Sequence, residues 1–169
     1  MSEPQLDFEA LLREHQSMVF SIALRVTGDW AAAEEVAQDV FVELHRRLDG
    51  IESREHARAW LRKVATHRAI DAARRSARLP KTDVEAIDLP GKARDGDALL
   101  ARHLERLVAQ LPEAMRAAIV LRYQEDLTPA EIAEALEMPV ATVKSNLQRG
   151  LQLLRRETER TLGPQHGRT

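Results

Sequence analysis

The chain has 169 residues, of which 44% are hydrophobic and 31% charged, and its formal net charge at neutral pH is −2. Seven glycines, seven prolines and few aromatic residues favour an all-helical protein with one large core or two small ones. The absence of cysteine excludes disulfides, thiolate zinc sites and thiol redox switches. No apolar run approaches the roughly 20 residues of a membrane span, and no secretion signal is present, so we expect a soluble, cytoplasmic protein without membrane insertion.

The small net charge conceals a strong alternation along the chain. Residues 1–53 carry a net charge of −7 and residues 54–81 carry +7, while residues 82–139 carry −6 and residues 140–169 carry +4. Because salt screens charges beyond about 8 Å, a polyanion responds to the local potential and not to the total. Two separate basic segments therefore predict two contacts with nucleic acid, although a single charge run is usually only a solvated face.

Apolar residues at helical spacing predict three helices in the first part of the chain. The first covers residues 8–26 and ends at Gly28, after which Asp29 can cap a second helix that runs to about residue 48. A third covers roughly residues 54–78. The outer face of the second helix is acidic and polar: Glu34, Glu35, Gln38, Asp39 and Glu43. One face of the third helix is cationic: Lys63, His67, Arg74 and Arg78.

Residues 79–96 interrupt this periodicity with prolines, glycines and mixed charges, which predicts a flexible linker. An amphipathic helix begins near residue 97, and Pro112 starts another. The end of the chain has turn formers and little to bury, so we expect it to be frayed. The predicted organisation is two small helical domains, 1–78 and 97–160, with the linker between them and a tail over 161–169.

Residues 128–156 have the pattern of a helix-turn-helix. Thr128 can cap the first helix, Pro129 suits its first position, and Glu131 completes a capping box; the turn falls at residues 137–139. The second helix has a predicted buried stripe of Val143, Leu147, Leu151 and Leu154. Its outer side carries Thr142, Ser145, Gln148, Arg149, Gln152 and Arg156. Short polar and basic side chains suit base edges and phosphates in a major groove. The alternative is a solvated amphipathic helix in an ordinary bundle.

Four segments together resemble the bacterial RNA polymerase sigma factors, specifically the short, two-domain extracytoplasmic-function (ECF) branch. They are EEVAQDVF at 34–41, ARAWLRKVATHRAIDAARR at 57–75, LPEAMRAAIVLRYQEDLTPAEIAEAL at 111–136 and PVATVKSNLQR at 139–149. The order and spacing of the segments, with a short linker where longer sigma factors hold a further domain, carry the resemblance. It implies a transcription initiation factor that binds core RNA polymerase and promoter DNA and assists strand opening.

The resemblance also implies roles for individual residues. The first domain would bind the polymerase through Gln38 and Asp39. Alternatively, Asp39 and Glu43 form only intrahelical ion pairs with residues such as Arg46 and Arg47, the interpretation preferred for Glu34 and Glu35. The loop at about 49–56 would hold an extruded base of the minus-10 element, whereas Trp60 is expected to pack in the core. Phosphates near this element would meet Lys63, His67, Arg74 and Arg78. The minus-35 element would meet Lys144, Ser145, Gln148 and Arg149.

Three positions depart from the family pattern. His67 stands where relatives usually have Asn, and Asn146 stands where they commonly have Arg, so each puts one inherited DNA contact in doubt. Glu137 occupies the place of a frequent turn glycine, which predicts a non-glycine residue in a left-handed conformation. Family habit further implies an anti-sigma partner that holds the protein on the same surfaces.

Other classes of function remain open at this point. No histidine and carboxylate spacing typical of a metal site, no glycine-rich phosphate loop and no nucleophile elbow is present, so we predict no enzymatic activity, metal or cofactor. A helix-turn-helix repressor without polymerase contact is the main alternative. A helical adaptor that does not bind DNA is a further one. The second basic helix and the acidic second helix favour the sigma factor.

Overall fold

The computed structural model describes residues 6–78 and 95–163, and within them it is helical and without a β-strand. The helices are α1 Phe8–Thr27, α2 Trp30–Arg47, α3 Arg54–Ala77, α4 Asp95–Gln110, α5 Glu113–Tyr123, α6 Pro129–Leu136 and α7 Val140–Leu162, with a single 3-10 turn at Leu48–Gly50. The predicted all-helical class is confirmed. Most of the predicted linker and the end of the predicted tail lie outside the described residues.

The ends of the first helices follow the local signals in the sequence. The Asp7 carboxylate accepts hydrogen bonds from backbone N–H groups at the start of α1, and Asp29 does the same for α2 by accepting from Ala32. Gly28 ends α1 in the left-handed conformation, with φ +71°, and its N–H donates to the Leu24 carbonyl. Glycine adopts this conformation at little cost, which explains the sharp turn between α1 and α2.

Helices α1, α2 and α3 form the first domain around a shared apolar core. Leu11, Val19 and Ile22 of α1 are buried against Leu44 of α2 and Leu61 of α3. Each such aliphatic side chain contributes about 1.5 to 3 kcal/mol when it leaves water. Trp60 is half-buried and packs against this core, as expected from the sequence. The core therefore fixes the outward faces of α2 and α3, on which the candidate functional residues lie.

Helices α4 to α7 form the second domain, in which α7 crosses α5 at Gly150. A methyl group at Gly150 would lie 3.1 Å from Met115 and 3.2 Å from Ile119, so the two helices approach more closely than a side chain there would allow. The predicted buried stripe is right at Val143 and Leu147, and it is wrong at Leu151, which is 37% exposed. Gly150 is buried in this crossing, and Leu151, about 100° farther around the helix, lies outward.

The two domains lie against each other. Helices α1 and α3 of the first domain contact α4, α5 and α6 of the second, and the buried residues of both domains form one cluster. Ala109 of α4 approaches the turn at Gly28, where a methyl group would lie 3.9 Å from the Ala109 Cβ. None of the helices in the described ranges is long and apolar enough to cross a membrane. The closeness of the domains decides which predicted site residues are accessible.

We predict that burial of His15 lowers stability in mild acid. His15 is only 5% exposed, and its Nε2 has no hydrogen-bond partner among the described residues. Burial lowers the pKa of its imidazole below 6.5, with Glu14 acting in the opposite direction and the arginines of α3 in the same one. Below a pH of about 6.5 the unfolded chain therefore binds this proton first, and the free energy of unfolding falls until the folded imidazole is also protonated.

His15→Leu tests this by removing the titrating group while keeping an apolar side chain at the position. The free energy of unfolding, measured by urea denaturation between neutral pH and about pH 5, should decline less in the variant than in the parent protein. The remaining histidines are common to both proteins, so their contributions cancel in the comparison. Identical pH profiles would contradict the prediction.

Candidate nucleic-acid interface

The predicted helix-turn-helix is present, and its first helix begins with a complete capping box. The Thr128 hydroxyl accepts from the Glu131 N–H at 3.2 Å, while the Glu131 carboxylate accepts from the Thr128 N–H at 2.7 Å. This hydrogen bond to the Thr128 backbone lowers the pKa of Glu131. Pro129 occupies the first turn, where its missing N–H costs no hydrogen bond. These three residues set where α6 begins and hence how it meets α7.

The turn between α6 and α7 is built on a strained residue. Glu137 has φ +53° and ψ +46°, the left-handed conformation predicted from its place in the family pattern. The Met138 N–H donates to the Ala133 carbonyl at 3.1 Å, which closes the end of α6. Asn146 directs its amide towards the Met138 sulfur at 3.9 Å and so contributes to the turn. A left-handed non-glycine residue costs about 1 kcal/mol, so this turn holds its geometry against some strain.

The outer face of α7 is accessible to a ligand. Thr142, Lys144, Gln148 and Arg149 are exposed on it, and Ser145 is half-buried. Within the described part of the chain, neither Lys144 nor Arg149 makes an ion pair. A helix that presents free cations and short polar side chains can donate hydrogen bonds to phosphates and base edges in a major groove.

The middle of the predicted cationic face of α3 lies against the second domain instead. The Lys63 ammonium is 2.9 Å from the Glu137 carboxylate, and this hydrogen bond holds the pKa of Glu137 below its usual value. The His67 Nε2 lies 2.8 Å from the Ala135 carbonyl oxygen, a partner that requires the imidazole to donate from Nε2. Both side chains therefore bind the end of α6.

The end of the same face of α3 is only partly engaged. The Arg74 guanidinium donates to the Glu113 carboxylate at 3.0 Å, across the domains. Hydrogen bonds to its own backbone N–H and to Arg74 lower the pKa of Glu113. Arg78 caps the C-terminus of α3 and is exposed. Of the four cationic-face residues predicted from the sequence, three contact the second domain and one points to solvent.

A partly buried ion pair that the sequence did not single out lies next to this face. Arg62 and Glu125 approach to 3.4 Å, with side chains that are 13% and 7% exposed. Gln124 donates to Glu125 at 3.0 Å and accepts from Arg25 of α1, which extends the network from α3 to α1. A buried charge is tolerated only beside an opposite charge, so these residues hold the two domains in one orientation. No spacing rule links residues so far apart in the chain.

The acidic face of α2 is accessible, with Gln38 and Asp39 both exposed. The expected intrahelical pair is found between Glu43 and Arg47, at 3.3 Å. Arg68 of α3 lies near both acidic residues, 2.6 Å from Glu43 and 3.8 Å from Asp39, so Asp39 has a partner on another helix. Gln38 and its neighbours also line a shallow apolar groove between α1 and α2. Its walls include Phe8, Leu12, Phe41 and Val42.

The loop between α2 and α3, predicted to hold an extruded base, is ordered by local contacts. Ile51 is buried and anchors the loop to the first domain. Ser53 accepts from the His56 N–H at 3.0 Å and caps α3, while His56 Nδ1 accepts from the Glu52 N–H at 3.2 Å. Among the described residues, no group of histidine and acidic side chains could hold a metal ion.

Comparisons with known proteins agree on one family. A family model described as Sigma-70 region 2 matches residues 11–79, and one described as Sigma-70, region 4 matches residues 101–154. The ECF RNA polymerase sigma factor SigL of Mycobacterium tuberculosis is 36% identical over 152 residues, which cover 86% of this chain and 85% of SigL. The ECF RNA polymerase sigma factor SigW of Bacillus subtilis is 28% identical over 164 residues, covering 89% and 88%.

The fold is also similar to a solved one. The co-crystal structure of the sigma factor RpoE in complex with the anti-sigma factor NepR, from Bartonella quintana, matches with a TM-score of 0.73. The match covers 95% of this chain and 99% of that one at 17% identity, so it bears on the fold alone.

Removing the N-cap of α6 tests how far the helix-turn-helix depends on it. Thr128→Ala should lower the free energy of unfolding by about 0.5 to 2 kcal/mol, because the Glu131 N–H loses its acceptor. Chemical denaturation measures this loss. Thr142→Ala is the matched control, since Thr142 is exposed on α7 and caps no helix, and its stability should stay close to that of the parent. Equal losses in the two variants would contradict a specific role for the cap.

Proposed function

The chain belongs to the ECF branch of the RNA polymerase sigma factors, which direct the polymerase to promoters, and we propose which of its surfaces make the contacts. The observation that carries the proposal is the free cationic face of α7 within a complete helix-turn-helix. The polymerase makes the phosphodiester bonds. This chain contributes binding energy and the capture of separated bases.

The outer face of α7 is the proposed reader of the minus-35 element. Arg149 is exposed and long enough to bind a guanine edge with two hydrogen bonds, a contact worth about 1 to 3 kcal/mol of discrimination. Thr142 and Lys144, nearer the start of α7, would contact phosphates and so set the depth and register of the helix. Ser145 and Gln148 lie between these positions and complete the surface.

The first domain is the proposed reader of the minus-10 element. Strand separation costs a few kcal/mol per unstacked step, and a protein lowers that cost when it binds an extruded base. The loop between α2 and α3 is anchored at Ile51 and capped by Ser53, which preorganises it for such capture. Lys63, His67, Arg74 and Arg78 would hold the phosphates beside it. The face that carries them becomes fully accessible only when the second domain moves away.

Gln38 and Asp39 of α2 are the proposed contact with core polymerase. Both residues are exposed beside the apolar groove between α1 and α2, so the surface combines charge with apolar area. Interfaces of this composition bind through a desolvated apolar centre and a polar rim. The structure of RpoE with NepR supports a further proposal, that an anti-sigma factor binds this chain and competes with polymerase for the same surfaces.

A repressor without polymerase contact, the alternative left open by the sequence, finds no support in the comparisons. Run-off transcription with purified core polymerase separates the two functions, because only a sigma factor yields a promoter-dependent product. A template pool made from random upstream sequences supplies the promoter. Sequencing the transcribed templates then reveals the two elements.

Charge reversal at Arg149 should weaken promoter binding and leave polymerase binding intact. Loss of a bidentate guanine contact and repulsion from phosphates predict at least a tenfold lower affinity for the selected promoter. Arg155→Glu is the matched control, because Arg155 is exposed on the same helix but lies about 9 Å farther along its axis than Arg149, beyond the proposed contact residues. Affinities are measured by fluorescence anisotropy with the holoenzyme. Equal losses for the two variants would mean that only net charge matters.

Charge reversal at Asp39 should weaken binding to core polymerase. Asp39→Arg places a cation beside Arg68 and in the proposed interface, and we expect at least a tenfold lower affinity in a pull-down or by surface plasmon resonance. Glu35→Arg makes the same charge change one turn earlier on α2, where we propose no contact, and should bind as the parent does. Thermal unfolding of both variants checks the fold. Unaltered affinity of the Asp39 variant would remove this residue from the interface.

A further inference from the structure

Three glutamates of the second domain bind three cations of α3. Glu113 lies at the start of α5, Glu125 follows α5, and Glu137 ends α6. Their partners are Arg74 at 3.0 Å, Arg62 at 3.4 Å and Lys63 at 2.9 Å, respectively. The carboxylates thus follow one side of α3 from its middle to its last turn.

Two of these carboxylates, those of Glu137 and Glu113, occupy positions proposed for DNA phosphates. Lys63 and Arg74 cannot bind a phosphate with full strength while each is paired with a glutamate, and His67 donates its Nε2 proton to the Ala135 carbonyl. A carboxylate and a phosphate offer the same anionic oxygens to a cation. Closure of the domains and binding of DNA to α3 are therefore competing uses of the same side chains.

Glu137 has a feature that the other two glutamates lack. It is in the left-handed conformation at φ +53°, where glycine would be free of strain. Within the described ranges, its carboxylate forms an ion pair with Lys63 and with no cation of the helix-turn-helix itself. The strained residue therefore lies where its carboxylate can contact the first domain.

We propose that the second domain holds the protein in a closed, autoinhibited state, in which Glu137 acts as a latch on Lys63 and keeps DNA phosphates off α3. The inference rests on the proposed role of α3 in minus-10 binding. Opening of the latch exposes Lys63, His67 and Arg74 together. Lys144 and Arg149 of α7 stay accessible in the closed state, because they are exposed and form no ion pair among the described residues.

The exposure of the pairs makes such a latch reversible. Lys63 and Glu137 are 41% and 66% exposed, and Arg74 and Glu113 are 52% and 33% exposed. Exposed pairs are weak and are screened by salt, so a polyanion at modest concentration can displace them. The less exposed Arg62–Glu125 pair sets the orientation that the domains adopt when they close again.

Because the sequence has no cysteine, two introduced cysteines can be labelled specifically with dyes, and energy transfer between the dyes measures closure of the domains. Glu35→Cys on α2 and Arg155→Cys on α7 introduce two exposed thiols, one in each domain, for a pair of fluorescent dyes. The full chain carrying both dyes should show high energy transfer at low salt. Addition of single-stranded oligothymidylate, a probe that binds through phosphates whatever the promoter, should lower the transfer, because binding and closure are reciprocally linked.

Glu137→Gly removes the latch and also relieves the strained backbone, so the variant should fold at least as well as the parent. We expect lower transfer at low salt, and the oligothymidylate concentration needed for half-opening should fall about two- to fivefold. Glu137→Gln, which removes the charge and keeps a side chain, should also lower the oligothymidylate concentration needed for half-opening. Asp126→Gly is the matched control, since Asp126 is also left-handed and acidic, is exposed, and forms no ion pair with α3 among the described residues.

The outcomes are distinct. Equal transfer in Glu137→Gly and the parent, an equal effect of Asp126→Gly, or oligothymidylate binding that leaves transfer unchanged would each overturn the latch. Failure of the parent protein to support run-off transcription would instead overturn the proposed function. Since energy transfer needs no polymerase or promoter, the two failures cannot be confused.

Discussion

The relation between the two domains depends on one pair of opposite charges that is largely shielded from water. The Arg62 and Glu125 side chains are 13% and 7% exposed, and fully desolvating either charge alone would cost several kcal/mol. Each therefore requires the other in place. Gln124 connects the pair to Arg25, so a single polar network spans α3, the turn after α5, and α1. Because hydrogen bonds are directional, this network fixes the orientation of the domains more narrowly than apolar contact would.

The other ion pairs between the domains are more exposed to solvent than the Arg62–Glu125 pair. Lys63 with Glu137 and Arg74 with Glu113 lie at the accessible edge of the interface, where water and salt compete with them. An interface with one shielded, hydrogen-bonded ion pair at its centre and exposed ion pairs at its edge can fix the domain orientation and still open readily. Glu137 has a strained, left-handed backbone, and its carboxylate forms an ion pair that exists only when the domains are in contact.

Local features of the fold could be predicted from the sequence, and long-range ones could not. Gly28 and the capping box of Thr128 and Glu131 act within a few residues, so their sequence pattern is sufficient. The predicted burial of Leu151 is wrong because helical spacing ignores how closely α7 crosses α5 at Gly150, a property of two helices together. Likewise, the residues of α7 could be placed on an accessible face, but no pattern indicated that the cations of α3 meet glutamates of the distant second domain.

The unequal accessibility of α7 and α3 has a kinetic consequence. A molecule that approaches a duplex in its closed form offers Lys144 and Arg149 first, so the upstream element is met while the melting surface is still covered. Tethering by α7 then raises the concentration of phosphates around Lys63 far above that in bulk solution, and this favours release of Glu137. Engagement at a promoter would thus proceed in a fixed sequence, in which the upstream duplex element is bound before the cations of α3 are exposed.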